Sequence, residues 1–177
     1  MPKNSLNEIF PIVDEQGNRI GQAPRSVCHD GKSKLLHPVV HLHLFNSKGL
    51  LFLQKRTATK DIQPGKWDTS VGGHVDTEET TEQALIRESR EELGIEGFTP
   101  HFLKTYIWES DRERELVHSY YTISDMRPVT DPEEIDDGKF WSLADIKANL
   151  GKDIFTPNFE NEFSMIFITS DGAINQL

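Results

Sequence analysis

The chain has 177 residues, 36% hydrophobic content and a formal charge of −10, from 19 Lys+Arg against 29 Asp+Glu. Those values fit one ordinary globular domain over residues 1–177 and exclude a low-complexity chain. They also argue against a nucleic-acid polymer as partner, because any phosphate must be met by local cations or bound metal. Cys28 is the only cysteine, so no internal disulfide can form, and the polar opening MPKNSLNE lacks the charged and apolar regions of a signal peptide. A cytoplasmic setting is expected. The longest nearly pure apolar stretch, residues 50–53, is far below the roughly 20 residues that cross a bilayer, so no membrane partner is expected.

Residues 8–22 read as a hairpin: Ile9, Phe10, Ile12 and Val13 precede a turn at Gln16-Gly17-Asn18, with Ile20 on the return. Residues 37–45 alternate as a strand, with Val40, Leu42 and Leu44 on one face and Val39, His41, His43 and Phe45 on the other. The turn Asn46-Ser47-Lys48-Gly49 leads into a second strand, 50–55, and Pro64-Gly65 breaks the chain before a third extended segment, 67–75. Residues 77–93 read as a helix that Gly94 closes. Strands are expected at 98–108 and 116–123, joined by a charged loop, and Phe140-Trp141 continues into a short helix ending near Leu150. A last helix begins after Pro157 with Phe159, Phe163 and Ile166 at helical spacing. Strands and helices without regular βαβ alternation predict an α/β (α+β) domain: a mixed sheet between helices, with an N-terminal hairpin extension and a C-terminal helix.

Glu88, Glu91 and Glu92 stand at i, i+3 and i+4 on the 77–93 helix, so their carboxylates share one face. Leu85, Ile86, Ser89 and Leu93 project around the other side, which lets the helix pack while it holds the acids outward. A solvated acidic face is the ordinary explanation of such a triplet.

The triplet is embedded in GHVDTEETTEQALIRESREELGI, residues 73–95, which resembles the box of the Nudix hydrolase superfamily. Its anchors are Gly73, Glu79, Arg87, Glu88, Glu91, Glu92, Gly94 and Ile95; Ser89 departs from the bulky aliphatic the pattern prefers. The resemblance implies a loop, helix, loop unit that binds Mg²⁺ or Mn²⁺ and hydrolyses a diphosphate linkage in a small molecule. On that basis Glu88, Glu91, Glu92 and the Gly72 carbonyl supply hard oxygen ligands, and Arg87 braces them by pairing with Glu79. Glu91 or Glu92 takes the proton of the attacking water.

The flanks LHPVVHLHLFNSKGLLFLQKR and KDIQPGKWDTSVGGHV are similar to the branch that includes isopentenyl-diphosphate isomerase and isomerase-like hydrolases. That resemblance implies a metal site of three histidines and two glutamates. His37, His74 and Glu115 match it, with His29 and Glu113 as further members, although the interval from His29 to His37 is one residue longer than is typical. A structural histidine or a self-paired charged loop is the competing reading of each. His41, His43, His101 and His118 carry no functional assignment. The isomerase also needs a cysteine two residues before the histidine matched by His74, and Gly72 stands there. Without that acid-base group, hydrolysis of a nucleoside diphosphate derivative or other organic diphosphate is the leading expectation. Isomerase-like chemistry and a non-catalytic ligand sensor are the alternatives. Lys55, Arg56 and Lys60 are candidate phosphate contacts, Trp67 and Trp108 could stack on a base or isoprenoid tail, and a homodimer stays open.

Overall fold

The computed structural model describes residues 6–60, 62–175 and 177. The chain opens with a two-stranded hairpin of β1 (Ile9–Val13) and β2 (Arg19–Pro24), as the turn at Gly17 predicts. The four-residue α1 (Arg25–Cys28) links it to β3 (Leu36–Phe45), which is buried along its whole length. Next come β4 (Leu51–Arg56), β5 (Trp67–Asp68), β6 (Val71–His74) and α2 (Thr81–Leu93). The chain continues through β7 (His101–Glu109), β8 (Arg114–Ile123), β9 (Ile135–Trp141), α3 (Leu143–Asn149) and α4 (Pro157–Phe167).

The main sheet runs β5-β4-β3-β8-β7, with β6 also paired to β3 and β9 to β4. β3 and β8 are parallel, from Leu36 opposite Arg114 to Phe45 opposite Ile123, whereas β3 and β6 are antiparallel. Alternation along β3 feeds two cores. Val40, Leu42 and Leu44 meet Ala84, Leu85 and Leu93 of α2 on one face, while Phe45 joins Ile146 of α3 and Phe159, Phe163 and Phe167 of α4 on the other. The result is the expected mixed sheet between helices. No helix among the described residues is long and apolar enough to cross a membrane.

Three of the boundaries that depart from expectation have a local reason. α2 starts at Thr81 rather than 77, because Thr80 and Gln83 form a reciprocal capping box, with Gln83 N donating to Thr80 Oγ1 at 3.2 Å and Thr80 N to Gln83 Oε1 at 2.9 Å. That leaves Glu79 in a loop, free to reach back toward α2. β8 begins at Arg114, inside the stretch read as a charged loop, so parallel pairing with β3 sets Glu115 opposite His37. β9 is longer than Phe140-Trp141 alone, and its Gly138 is required where the strand crosses Phe52, since a Cβ there would run into that ring.

Candidate active site

One guanidinium organises the acidic helix. Arg87 Nε and Nη2 donate to Glu79 Oε1 and Oε2 at 2.6 and 2.8 Å, and Nη1 donates to Glu88 Oε1 at 2.6 Å and Glu91 Oε2 at 3.3 Å. Its Nη2 also donates to the His74 carbonyl at 3.0 Å, tying the loop, the end of β6 and α2 together. Burial opposes ionisation of Glu79, and the Arg87 hydrogen bonds reverse the balance, holding its carboxyl below the ordinary range. Glu92 Oε2 accepts from Gln54 Nε2 at 2.9 Å and from Gly72 N at 3.3 Å. Glu88 lies so close over Gly73 that a Cβ at that position would fall on its carboxyl, which explains the glycine.

A cleft of ≈ 1000 Å³ opens beside this group. Glu88, Glu92, Arg87, Gly72, Gly73 and His74 line it, and Glu91 does not. Of the expected phosphate contacts, Arg56 and Lys60 line the cleft, whereas Lys55 is on the other side of β4 from its neighbours Gln54 and Arg56. Both lining cations already have partners: Arg56 Nη1 is 3.4 Å from Asp68 Oδ2, and Lys60 Nζ pairs with Glu134. Trp108 lines the cleft, while Trp67 packs edge-on against Trp141 in the α4-side core.

A second polar group is sunk at the end of the cleft nearest the hairpin. Ligand atoms of His29, His37, His74 and Glu113 all lie within 4.8 Å of one another. His29 Nε2 is 2.9 Å and His37 Nε2 4.0 Å from Glu113 Oε2, and Phe10 of β1 stacks on the His74 ring at 4.1 Å between centroids. His37 Nδ1 lies 2.9 Å from the Leu35 carbonyl, which makes Nδ1 the protonated nitrogen of the neutral ring and leaves Nε2 a lone pair. The buried Nε2 atoms of His37 and His74 have no hydrogen-bond partner. Burial holds both rings below the ordinary imidazole range, so they stay neutral donors. Three imidazoles and a carboxylate with orphaned nitrogens fit a borderline divalent cation. Glu115, expected in this set, stands beside it: burial and the neighbouring Glu113 charge push its carboxyl well above the ordinary range.

Two histidines without a sequence assignment prove to be tied together. His41 Nδ1 is 2.6 Å from Glu162 Oε2 and His43 Nε2 is 3.0 Å from Glu162 Oε1, under α4. The Tyr106 hydroxyl is 3.0 Å from the same Oε2 and 2.8 Å from Asn158 Oδ1. Burial opposes charge on His41, but Glu162 more than offsets it and raises the imidazole to about 9. The signal available was Glu162 itself, a carboxylate on the apolar stripe of Phe159 and Phe163.

Residues 35–159 match the family model described as NUDIX domain. The chain is 29% identical over 163 residues to isopentenyl-diphosphate Delta-isomerase 1 of Photorhabdus laumondii, covering 88% of this chain and 92% of that protein. It is 32% identical to an uncharacterized Nudix hydrolase of Streptomyces coelicolor, covering 88% of this chain and 86% of the other. Among solved structures, the crystal structure of DR0079 from Deinococcus radiodurans superposes with a TM-score of 0.78 at 25% identity, covering 90% of this chain and 99% of that one. With the box geometry around Arg87 and a domain match across most of its length, the chain belongs to the Nudix family.

Proposed function

We propose that the chain is a divalent-metal-dependent hydrolase that cleaves a diphosphate linkage in a nucleoside diphosphate derivative or another organic diphosphate. The observation that carries this reading is the convergence of Glu88, Glu91 and Glu92 beside Gly72 and Gly73, with Glu88 and Glu91 held by the Arg87 guanidinium and Glu92 by Gln54 and the Gly72 N–H. These oxygens suit Mg²⁺ or Mn²⁺, which when bound would offset diphosphate charge and make a coordinated water more acidic. Arg56 and Lys60 provide positive charge at the cleft wall for the phosphoryl oxygens. Glu92 faces the cleft and Glu91 does not, which favours Glu92 as the group that accepts the proton of the attacking water. Glu92→Gln should lower kcat by at least about 100-fold at saturating metal with the melting temperature retained. Unchanged turnover of a diphosphate panel by that variant would sink the reading.

The histidine cluster and the isomerase relatives favour a second reading, isopentenyl-diphosphate isomerase-like chemistry. Gly72 argues against it, because protonating an alkene and removing a proton from the opposite face needs two positioned groups. The position has room: a Cβ at Gly72 would meet His41 at 3.5 Å and Thr69 at 3.7 Å, ordinary van der Waals contact. Formation of dimethylallyl diphosphate by the native chain, above a metal-only control, would put the second reading first.

A further inference from the structure

His41 lines the cleft, yet it belongs neither to the carboxylates around Arg87 nor to the His29, His37, His74 and Glu113 group. It is the cross-strand neighbour of Gly72, whose N–H lies 3.3 Å from Glu92, so its ring sits at the foot of the acidic helix. One edge of the ring faces down. Nδ1 is held by the fully buried Glu162, whose other oxygen is occupied by His43 and which also meets the Tyr106 hydroxyl. The opposite edge faces the space next to Gly72, since Nε2 would be 3.7 Å from a Cβ built there.

Charge balance defines what this edge offers. A carboxylate with no solvent exposure needs a compensating cation, and its partners are a phenol and the two imidazoles. An imidazolium anchored through Nδ1 carries its second N–H on Nε2, aimed where an anion would enter. Arg56 and Lys60 differ, because the carboxylates that pair with them are partly exposed at the cleft wall, whereas the one that holds His41 is fully buried.

We propose that His41 is a substrate-contacting residue, held from below by Glu162, that donates a hydrogen bond from Nε2 to a phosphoryl oxygen of the bound diphosphate. Glu162 is then a positioning residue that acts through His41. The assignment rests on the hydrolase reading for the nature of the ligand. It explains why a buried carboxylate is kept on the apolar stripe of α4, where a leucine would pack at lower desolvation cost.

The test uses methylenebisphosphonate, a diphosphate analogue that cannot be hydrolysed, with Mg²⁺ and the full chain. In the native protein, long-range ¹⁵N spectra should show the His41 Nε2 resonance shifting as the analogue saturates, a readout that requires no variant. By calorimetry His41→Leu should weaken binding roughly 10- to 100-fold, the range for a hydrogen bond to a charged group, and His41→Gln, which retains an N–H donor, should recover part of it. Glu162→Gln keeps an acceptor for Nδ1 but loses the charge, and should raise KM more than it lowers kcat. Binding of the analogue with an unmoved His41 ring, or with equal affinity in folded His41→Leu, overturns the proposal and leaves the hydrolase reading standing. Absence of any binding to the native protein overturns both.

Discussion

His37 and His43 lie on the same face of β3, six residues apart, and their surroundings are opposite. At the His37 end three imidazoles crowd one carboxylate, and the Nε2 atoms of His37 and His74 are buried without a hydrogen-bond partner. At the His43 end two imidazoles share both oxygens of Glu162, which also has Tyr106 within hydrogen-bond reach. The first arrangement is costly unless something else enters it, whereas in the second both oxygens of the buried carboxylate are met by protein groups. Histidine count alone does not separate a site for an external cation from an internal brace. The ratio of imidazole lone pairs to protein donors and carboxylates does.

Removing Glu162 should have the largest effect on stability. Glu162→Leu strands His41, His43 and Tyr106, and breaking a buried ionic group by deleting one partner costs about 3–5 kcal/mol. Urea unfolding with an unchanged m-value would measure it. A loss near zero would mean that the cluster is not ionised, and that the contrast with the His37 end is one of packing alone.

The matching change at the other end should behave differently. In chelator-treated protein, His74→Phe replaces an orphaned imidazole stacked on Phe10 with a ring that pairs as well, so stability should change by less than about 1 kcal/mol. Addition of Mn²⁺ or Zn²⁺ at 100 times its Kd should stabilise the native chain by about 2.7 kcal/mol and leave the variant behind. Equal melting shifts in both would remove this cluster from the candidate cation sites and leave only the carboxylates around Arg87.

These two ends were not equally legible. The box anchors lie within one segment, where a family pattern and helical geometry agree, and the Arg87–Glu79 pair and the grouping of His37 with His74 were implied by the family resemblance. Alternation along 37–45 also assigns the two faces of β3 correctly, because a fully buried strand leaves little choice of register. Glu113 and Glu115 were legible as residues but not as structure: DRERE reads as solvated charge, and only parallel pairing with β3 buries Glu115 opposite His37. His41 and His43 gave no signal, because the carboxylate that explains them lies 121 and 119 positions away. No local pattern reports such a contact.

An intermediate effect is expected at Gly72, where the two ends meet. Gly72→Cys adds a thiol in a space that a Cβ enters without strain, next to His41 and two residues before His74. The variant should keep its fold to within about 1 kcal/mol, since Gly72 does not have a positive φ, and should restore a proton-transfer group at the position the isomerase pattern requires. Detectable dimethylallyl diphosphate from the variant, but not from the native chain, would show that one residue separates the two chemistries. No product from a folded, metal-loaded variant would place the difference elsewhere in the cleft.

The smallest effect is on the shape of stability against pH, and its sign distinguishes the two ends. His41 is raised from 6.5 to about 9 against the cost of burial by Glu162, so its contribution is full below pH 6.5 and is lost as pH rises toward about 9. Glu162 is itself held well below 4.5, so its contribution is present above 4.5 and declines only under stronger acid. His37 and His74 have the opposite sign from His41: burial lowers them from 6.5, so metal-free protein loses stability as pH falls below 6.5, where the unfolded chain takes up protons that the folded rings refuse. Urea midpoints of chelated protein across this range should therefore fall on both sides. Glu162→Gln should flatten the alkaline limb and His74→Phe the acidic one. If either variant flattened the wrong limb, the assignment of a complete ion pair to one end of β3 and of neutral, orphaned imidazoles to the other would be reversed.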